Sequence, residues 1–153
     1  ARALGNRSII ASPKNSNMKM RLNKYIKHRE EFRPFAPVIN KCHLDKYFET
    51  SGSDDHKFMT KCFNADERVK DEYPSAVHVD NTSRLQIIDD SDKERAIYGI
   101  SKAASEIHGI DLLINTSFND NKMPIVNDIN DALSCAKSTN LDYVIVNSEI
   151  IKL

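Results

Sequence analysis

D-L-L-I-N-T-S-F-N, residues 111–119, runs from three aliphatic side chains straight into a polar cluster. The apolar part, Leu112–Asn115, reads as a strand buried on both faces of a layered sheet. The stretch I-N-T-S-F-N (114–119) then packs four hydrogen-bonding side chains into five residues. At the end of a buried strand in an α/β sheet, that is where ligands usually bind. Ser117 and Asn119 offer a hydroxyl and an amide suited to a phosphate or to a carbamoyl or amide head. A polar turn that merely caps the strand would present the same residues.

Working outward, helical periodicity spans Ser16–Lys27, where Met18, Leu22 and Tyr25 or Ile26 share a face. A second helix is predicted over Asp92–His108, with Ser91 as N-cap and Gly109 as the stop. A third covers Asp128–Ser138, capped by Asn127, with Ile129, Ala132, Leu133 and Ala136 inward. Further strand-like runs are Ala36–Asn40, Phe58–Phe63, Ala76–Val79, Arg84–Ile88, Tyr143–Val146 and Ile150–Leu153. Thr50–Lys57 reads as a loop. Alternation of the two kinds of element predicts one α/β domain over residues 1–153, a β-sheet layered with helices.

The composition narrows the function. With 153 residues, 40% apolar and 29% charged, the chain suits one soluble core. No run approaches the ~18 apolar residues of a membrane span, and no signal-peptide pattern opens the sequence. A cytoplasmic protein without a membrane partner is expected. Four glycines, Gly5, Gly52, Gly99 and Gly109, are too few and too dispersed to write G-x-G-x-x-G or G-x-x-x-x-G-K-[ST]. Any nucleotide must therefore be held by side chains. Cys42, Cys62 and Cys135 form no C-x-x-C, so core or surface thiols are expected, and no metal site.

Net charge is zero, but its distribution is uneven. In residues 1–33, nine basic groups against Glu30 and Glu31 leave +7, and the remainder carries −7. A cationic segment of this kind seeks phosphates, nucleic acid, carboxylates or the acidic body itself. Its most unusual stretch is R-E-E-F-R-P-F-A-P-V (29–38), in which Pro34 and Pro37 forbid helix and force Arg33 and Ala36 towards extended geometry. Phe32 and Phe35, beside the prolines, read as packing. Lys27, Arg29 and Arg33 would share one face of an extended segment and clamp a phosphate, since guanidinium forks are its best side-chain partners. In H-V-D-N-T-S-R (78–84), Asp80 is placed to orient His78, and Arg84 adds a further cation.

A-R-A-L-G-N-R-S-I-I-A (1–11), K-H-R-E-E-F-R-P-F-A-P-V (27–38), H-V-D-N-T-S-R-L-Q (78–86) and I-N-T-S-F-N (114–119) occur in that order. Together they closely resemble the C-terminal, YrdC-like domain of the NodU/CmcH-type O-carbamoyltransferases, over nearly the whole chain. The pairing of K-x-R with S-x-N also resembles the signature of threonylcarbamoyl-adenylate synthases.

The resemblance implies a domain with a twisted mixed β-sheet that binds ATP, Mg²⁺ and carbamoyl phosphate and makes carbamoyl adenylate. An actin-like-ATPase-type N-terminal domain would then carbamoylate an acceptor hydroxyl. The family's first motif opens with Gly-Pro ahead of the arginine, so this chain is expected to be cut from a longer protein. By position, Arg2, Lys27, Arg33 and Arg84 match cations that hold the phosphates and carbamoyl phosphate, with Lys27, Arg33 and Arg84 carrying the chemistry. Ser117 and Asn119 match nucleotide contacts. Arg7 and Arg29 match motif arginines that either bind the nucleotide or pair structurally with Glu30 or Asp80. Two departures stand out: Asn81 replaces a glycine, which asparagine tolerates at positive φ, and D-N-K-M-P-I-V (120–126) replaces V-R-G-E-P-I-V. The competing readings are a threonylcarbamoyl-adenylate-type synthase for tRNA modification and a basic RNA-binding module. The first motif and F-R-P-F-A-P argue against the former, and the reading of Phe32 and Phe35 as packing instead of exposed stacking aromatics argues against the latter.

Overall fold

Residues 5–50, 59–121, 123–147 and 149–153 are described by a computed structural model. In chain order they form β1 (Ser8–Ala11), α1 (Met18–Arg21) running into a π-helical turn at Leu22–Ile26, β2 (Pro37–Asn40) and α2 (Leu44–Tyr47). Next come β3 (Phe63–Asn64), α3 (Glu67–Glu72), β4 (Thr82–Ser83) and β5 (Gln86–Ile88). The chain closes with α4 (Ala96–His108), β6 (Leu112–Ser117), α5 (Ile129–Ser138), β7 (Tyr143–Val146) and β8 (Glu149–Lys152). The main sheet has the order β1-β6-β2-β5, with β6 antiparallel to both neighbours and β2 parallel to β5. It is layered with helices as the alternation predicts, and mixed as the family resemblance implies. β3 pairs with β4 and β7 with β8 in two small ribbons.

Strand alternation sorts the core. Leu113, Val38 and Ile88 face one side of the sheet and pack with Ile97 under α4. Ile114 and Ile9 face the other side and meet Leu22, Ile26, Ala132 and Ala136 from the first and last helices. On that same side, nearer the other end, Leu112, Ile39 and Ile87 join Tyr47, Val69, Tyr73 and Leu85. Strands buried on both faces lose polar alternation and become continuous apolar runs, which is why L-L-I is legible. Gly5, at φ +96, fits the start of β1 against α4, where an added Cβ would lie 2.6 Å from the backbone nitrogen of Ile97.

Several sequence expectations shift. The helix over Ser16–Lys27 forms as Met18–Ile26, with Tyr25 half exposed at 50% and Ile26 buried. The helix predicted from Asp92 starts at Ala96, because Asp89 caps a separate 3-10 turn at Asp90–Asp92 by accepting from the Ser91 amide. Its stop is Gly109, left-handed at φ 59, as predicted. Asp128, not Asn127, caps α5 by accepting from the amides of Asn130 and Asp131, and Ile129 is turned outward. No strand forms over Ala76–Val79: Pro74 nucleates a 3-10 turn there, and Val79 stands in solvent. Of Phe58–Phe63, only Phe63 is in a strand, while Phe58 and residues 51–57 of the expected loop lie outside the described residues.

The amino end of β6 carries a polar hub. Buried Asp111 accepts from Tyr47 Oη at 2.8 Å, Lys46 Nζ at 3.0 Å and Ser105 Oγ at 2.6 Å, with His43 Nε2 3.7 Å away. Desolvation pushes its carboxyl up, but the hydrogen bonds from Ser105, Tyr47 and Lys46 and the nearby His43 outweigh that and hold it at about 2.

Candidate functional site

Strand register gathers the predicted residues at the other end of the sheet. Ser8 pairs with Ser117, so Arg7 lies beside the carboxyl end of β6. Pro37 pairs with Ile114 in antiparallel register, so the segment from Arg33 into β2 arrives at that same end. Val38 pairs with Gln86 in parallel register, which brings Arg84 there as well. Arg2 lies outside the described residues.

Lys27 is the centre of this end. Its side chain is 4% exposed, and its Nζ donates to Ser117 O at 2.5 Å, Asn119 O at 2.9 Å and Asn119 Oδ1 at 2.8 Å, with Ser117 Oγ at 3.3 Å. Ser117 Oγ donates to Asn119 Oδ1 at 2.6 Å, and Asn119 Nδ2 closes the loop by donating to Asp120 O and Met123 O. Residues ninety positions apart in sequence thus form one interlocked unit. Burial, and secondarily the Arg29 charge, lower the Lys27 ammonium to about 8 against the opposing charges of Cys135 and Asp120.

The extended arrangement expected for Lys27, Arg29 and Arg33 is not what forms. Residues 27–36 are irregular, and His28 takes a left-handed φ of 44. That turn sends Lys27 inward from the end of the π-helical turn and returns Arg29 along a different wall. His28 Nδ1 lies 2.9 Å from Asp120 Oδ1, which ties the turn to the substituted segment after Asn119. Asp120 Oδ1 also accepts from the amide of Asn121. The departure from the family's V-R-G-E pattern therefore supplies local turn contacts of its own.

Arg29 is half-buried, with its guanidinium 4.5 Å over the Phe35 ring and its Nε donating to Asn23 Oδ1 at 2.7 Å. Its terminal nitrogens engage no hydrogen bond or ion pair among the described residues. Burial, then the Arg33 charge, lower it below the ordinary guanidinium range. Arg33 is exposed, with only a 3.9 Å contact to Glu30. Arg84 is exposed and makes no ion pair or hydrogen bond among the described residues. Arg7 Nη1 donates to Val126 O at 3.3 Å, and its carbonyl accepts from the Phe118 amide, so it braces the strand-end loop instead of pairing with a carboxylate.

In H-V-D-N-T-S-R, Asp80 does not touch His78 directly. The Thr82 hydroxyl stands between them, 3.0 Å from His78 Nδ1 and donating to Asp80 Oδ1 at 2.7 Å. Residues 79–81 form a tight turn that leads into β4, with Asn81 at φ 60, the geometry anticipated for the glycine position. Burial, then the Lys19 and Arg84 charges, lower the His78 imidazole despite Asp80.

Two buried amides make contacts that the sequence reading did not assign. Asn115 Nδ2 donates to Gln86 Oε1 at 2.6 Å, joining two motifs across β2. Asn23, fully buried, donates to Glu31 O and Arg33 O while accepting from Arg29. Asn23 is a lone amide on a helix face and Asn115 is the first polar side chain after an apolar run, and those are the signals that could have flagged them. The aromatics divide: Phe35 is buried, but Phe32 is 75% exposed, contrary to its reading as packing.

The fold and this site define a mixed-sheet α/β domain with a cationic strand end. Residues 1–152 match the family model for the carbamoyltransferase C-terminus, and the chain belongs to that family. It is 37% identical over 152 residues to nodulation protein NolNO of Sinorhizobium fredii, covering 99% of this chain and 22% of that protein. It is 30% identical over 145 residues to the 3'-hydroxymethylcephem-O-carbamoyltransferase of Amycolatopsis lactamdurans, covering 95% of this chain and 27% of that protein. With nodulation protein U of Rhizobium tropici the identity is 37% over 118 residues, covering 77% and 20%. The chain thus spans roughly a quarter of the length of the curated relatives it matches. No helix among the described residues is long and apolar enough to cross a membrane.

Proposed function

We propose that this chain is the part of an O-carbamoyltransferase that binds ATP and carbamoyl phosphate and forms carbamoyl adenylate. A separate, actin-like-ATPase-type N-terminal region of a longer protein would supply the acceptor site. Family membership supports the carbamoyl chemistry. The observation that carries the nucleotide reading is the strand end itself: Lys27 locked onto Ser117 and Asn119, with Arg29, Arg33 and Arg84 brought to the same edge and weakly paired.

Water would first release carbamate and inorganic phosphate from carbamoyl phosphate. A carbamate oxygen then attacks the α-phosphorus of ATP, the bond to the β-phosphate oxygen breaks, and pyrophosphate departs with the electron pair. Catalysis of such a displacement is mostly positioning and stabilisation of charge on phosphoryl oxygens. The forks of Arg29 and Arg33, with Arg84, suit that task, and no nucleophilic side chain is needed. Lys27 acts one step back, shaping the Ser117–Asn119 loop. Among the described residues no three His, Cys, Asp or Glu side chains converge to hold a metal. Mg²⁺ would be carried on the triphosphate and neutralise part of its charge, and no step here is assigned to it.

Calorimetric titration tests the reading. The chain should bind ATP and carbamoyl phosphate, and with both present it should incorporate labelled pyrophosphate into ATP while carbamoylating no added hydroxyl compound. Absence of ATP binding, or efficient transfer to an acceptor by this chain alone, would contradict it.

A further inference from the structure

The structure assigns a place for the base. We propose that Phe32 is a stacking platform for the nucleobase of the nucleotide whose phosphates meet Arg29 and Arg33, an inference that rests on the reading above.

Phe32 is 75% exposed, whereas Phe35, three residues on, is 4% exposed. Burying a phenylalanine side chain is worth roughly 1.5–3 kcal/mol, so a ring held in water on this turn has that much to give to a ligand that covers it. The turn is ordered by design of the sequence around it. Asn23, fully buried, uses both amide hydrogens on the carbonyls that flank Phe32, Glu31 O at 3.0 Å and Arg33 O at 2.8 Å. The Arg33 amide donates to Glu30 O at 3.2 Å, and Glu31 pairs with Lys24 at 3.6 Å. Turning the ring inward would break the bonds on both sides of it.

The residues beside it in sequence, Glu30, Glu31, Arg33 and Pro34, are all exposed, and three of the four are charged. Its companions are guanidiniums one and three residues away, with Cα atoms within ~11 Å. One mononucleotide can span that distance, offering phosphates to the arginines and a flat π-face to the ring. The same turn also leads into β2 at the sheet end that holds Ser117. Aromatic stacking is tolerant of base identity and is worth ~1–3 kcal/mol per base.

The chain contains no tryptophan, so Phe32→Trp introduces a single fluorophore at this spot. ATP should quench it, and inorganic tripolyphosphate should not. Phe32→Ala should weaken ATP binding about 5- to 150-fold while leaving tripolyphosphate affinity and the melting temperature unchanged. Equal effects on both ligands, or none on ATP, would overturn the proposal. So would a blue shift on anionic phosphatidylserine vesicles without quenching by ATP. If wild type binds tripolyphosphate but ATP no more tightly, stacking alone fails. If it binds neither, the nucleotide reading fails with it.

Discussion

At the amino end of β6, one buried carboxylate collects hydroxyl and ammonium donors, while at the carboxyl end one buried ammonium collects carbonyl, hydroxyl and amide oxygens. Asp111 sits among Tyr47, Lys46, Ser105 and His43, with the Lys46 ammonium opposing its charge and two hydroxyls donating to it. Lys27 meets only neutral acceptors, and the Arg29 charge adds to its own while Asp120 opposes it. The first arrangement is electrostatically closed. The second leaves an excess of positive charge that an anion would relieve, and the difference separates a hub that holds the fold from an end built to receive a ligand.

The largest expected effect falls on the closed end. Asp111→Ala strands the donors of Tyr47, Ser105 and Lys46, and should cost ~3–5 kcal/mol of stability, a drop of roughly 6–20 °C in melting temperature. Polyphosphate affinity of the folded fraction should not change. The wild-type hub should also give way in acid: with its folded carboxyl at about 2, below its ordinary 3.8, the stabilisation is complete above that ordinary value and is lost as pH falls towards 2. An equal loss of ligand affinity in Asp111→Ala would erase the distinction between the ends.

Lys27→Ala comes second, because this cation is both buried and shared with the strand-end loop. It should cost ~1–3 kcal/mol of stability and weaken ATP binding at least tenfold through a loosened Ser117–Asn119 loop. Its pH signature runs opposite to that of Asp111. The folded ammonium titrates at about 8, below its ordinary 10.5, so between those values the unfolded chain binds more protons. Stability from this group should therefore rise with pH over that window, and the rise should vanish in Lys27→Met. Urea melts at pH 7.5 and 10 check it.

Arg33→Ala and Arg84→Ala are the mildest. Both side chains are exposed, so stability should move by less than about 0.5 kcal/mol. Nucleotide and carbamoyl phosphate affinity should fall about threefold to thirtyfold for each, with a shallower salt dependence. A melting temperature lowered with affinity intact would make either arginine structural.

Much of this contrast was legible in the residues. The run Leu112–Ile114 announces the central strand because burial on both faces demands continuous apolar character, and S-F-N marks where it ends. The cations of residues 27–33 could be counted, but not aimed. Their direction depends on the left-handed turn at His28 and on the π-helical turn before it, neither of which has a residue-type signature there. Asp111 went unnoticed because a single carboxylate before a strand gains meaning only from partners at residues 43, 46, 47 and 105. Short elements failed most often. α2, α3 and the two-residue strands are set by tertiary contacts and carry too few residues to show a period.

Backbone amide chemical shifts during titration with ATP or tripolyphosphate measure the central claim most directly. The account predicts saturable perturbations at Arg7, Lys27–Arg33, Arg84 and Ser117–Asp120, with His43, Ser105 and Asp111 unmoved. Shifts centred on the Asp111 end, or a spectrum that ligand leaves unchanged, would contradict it.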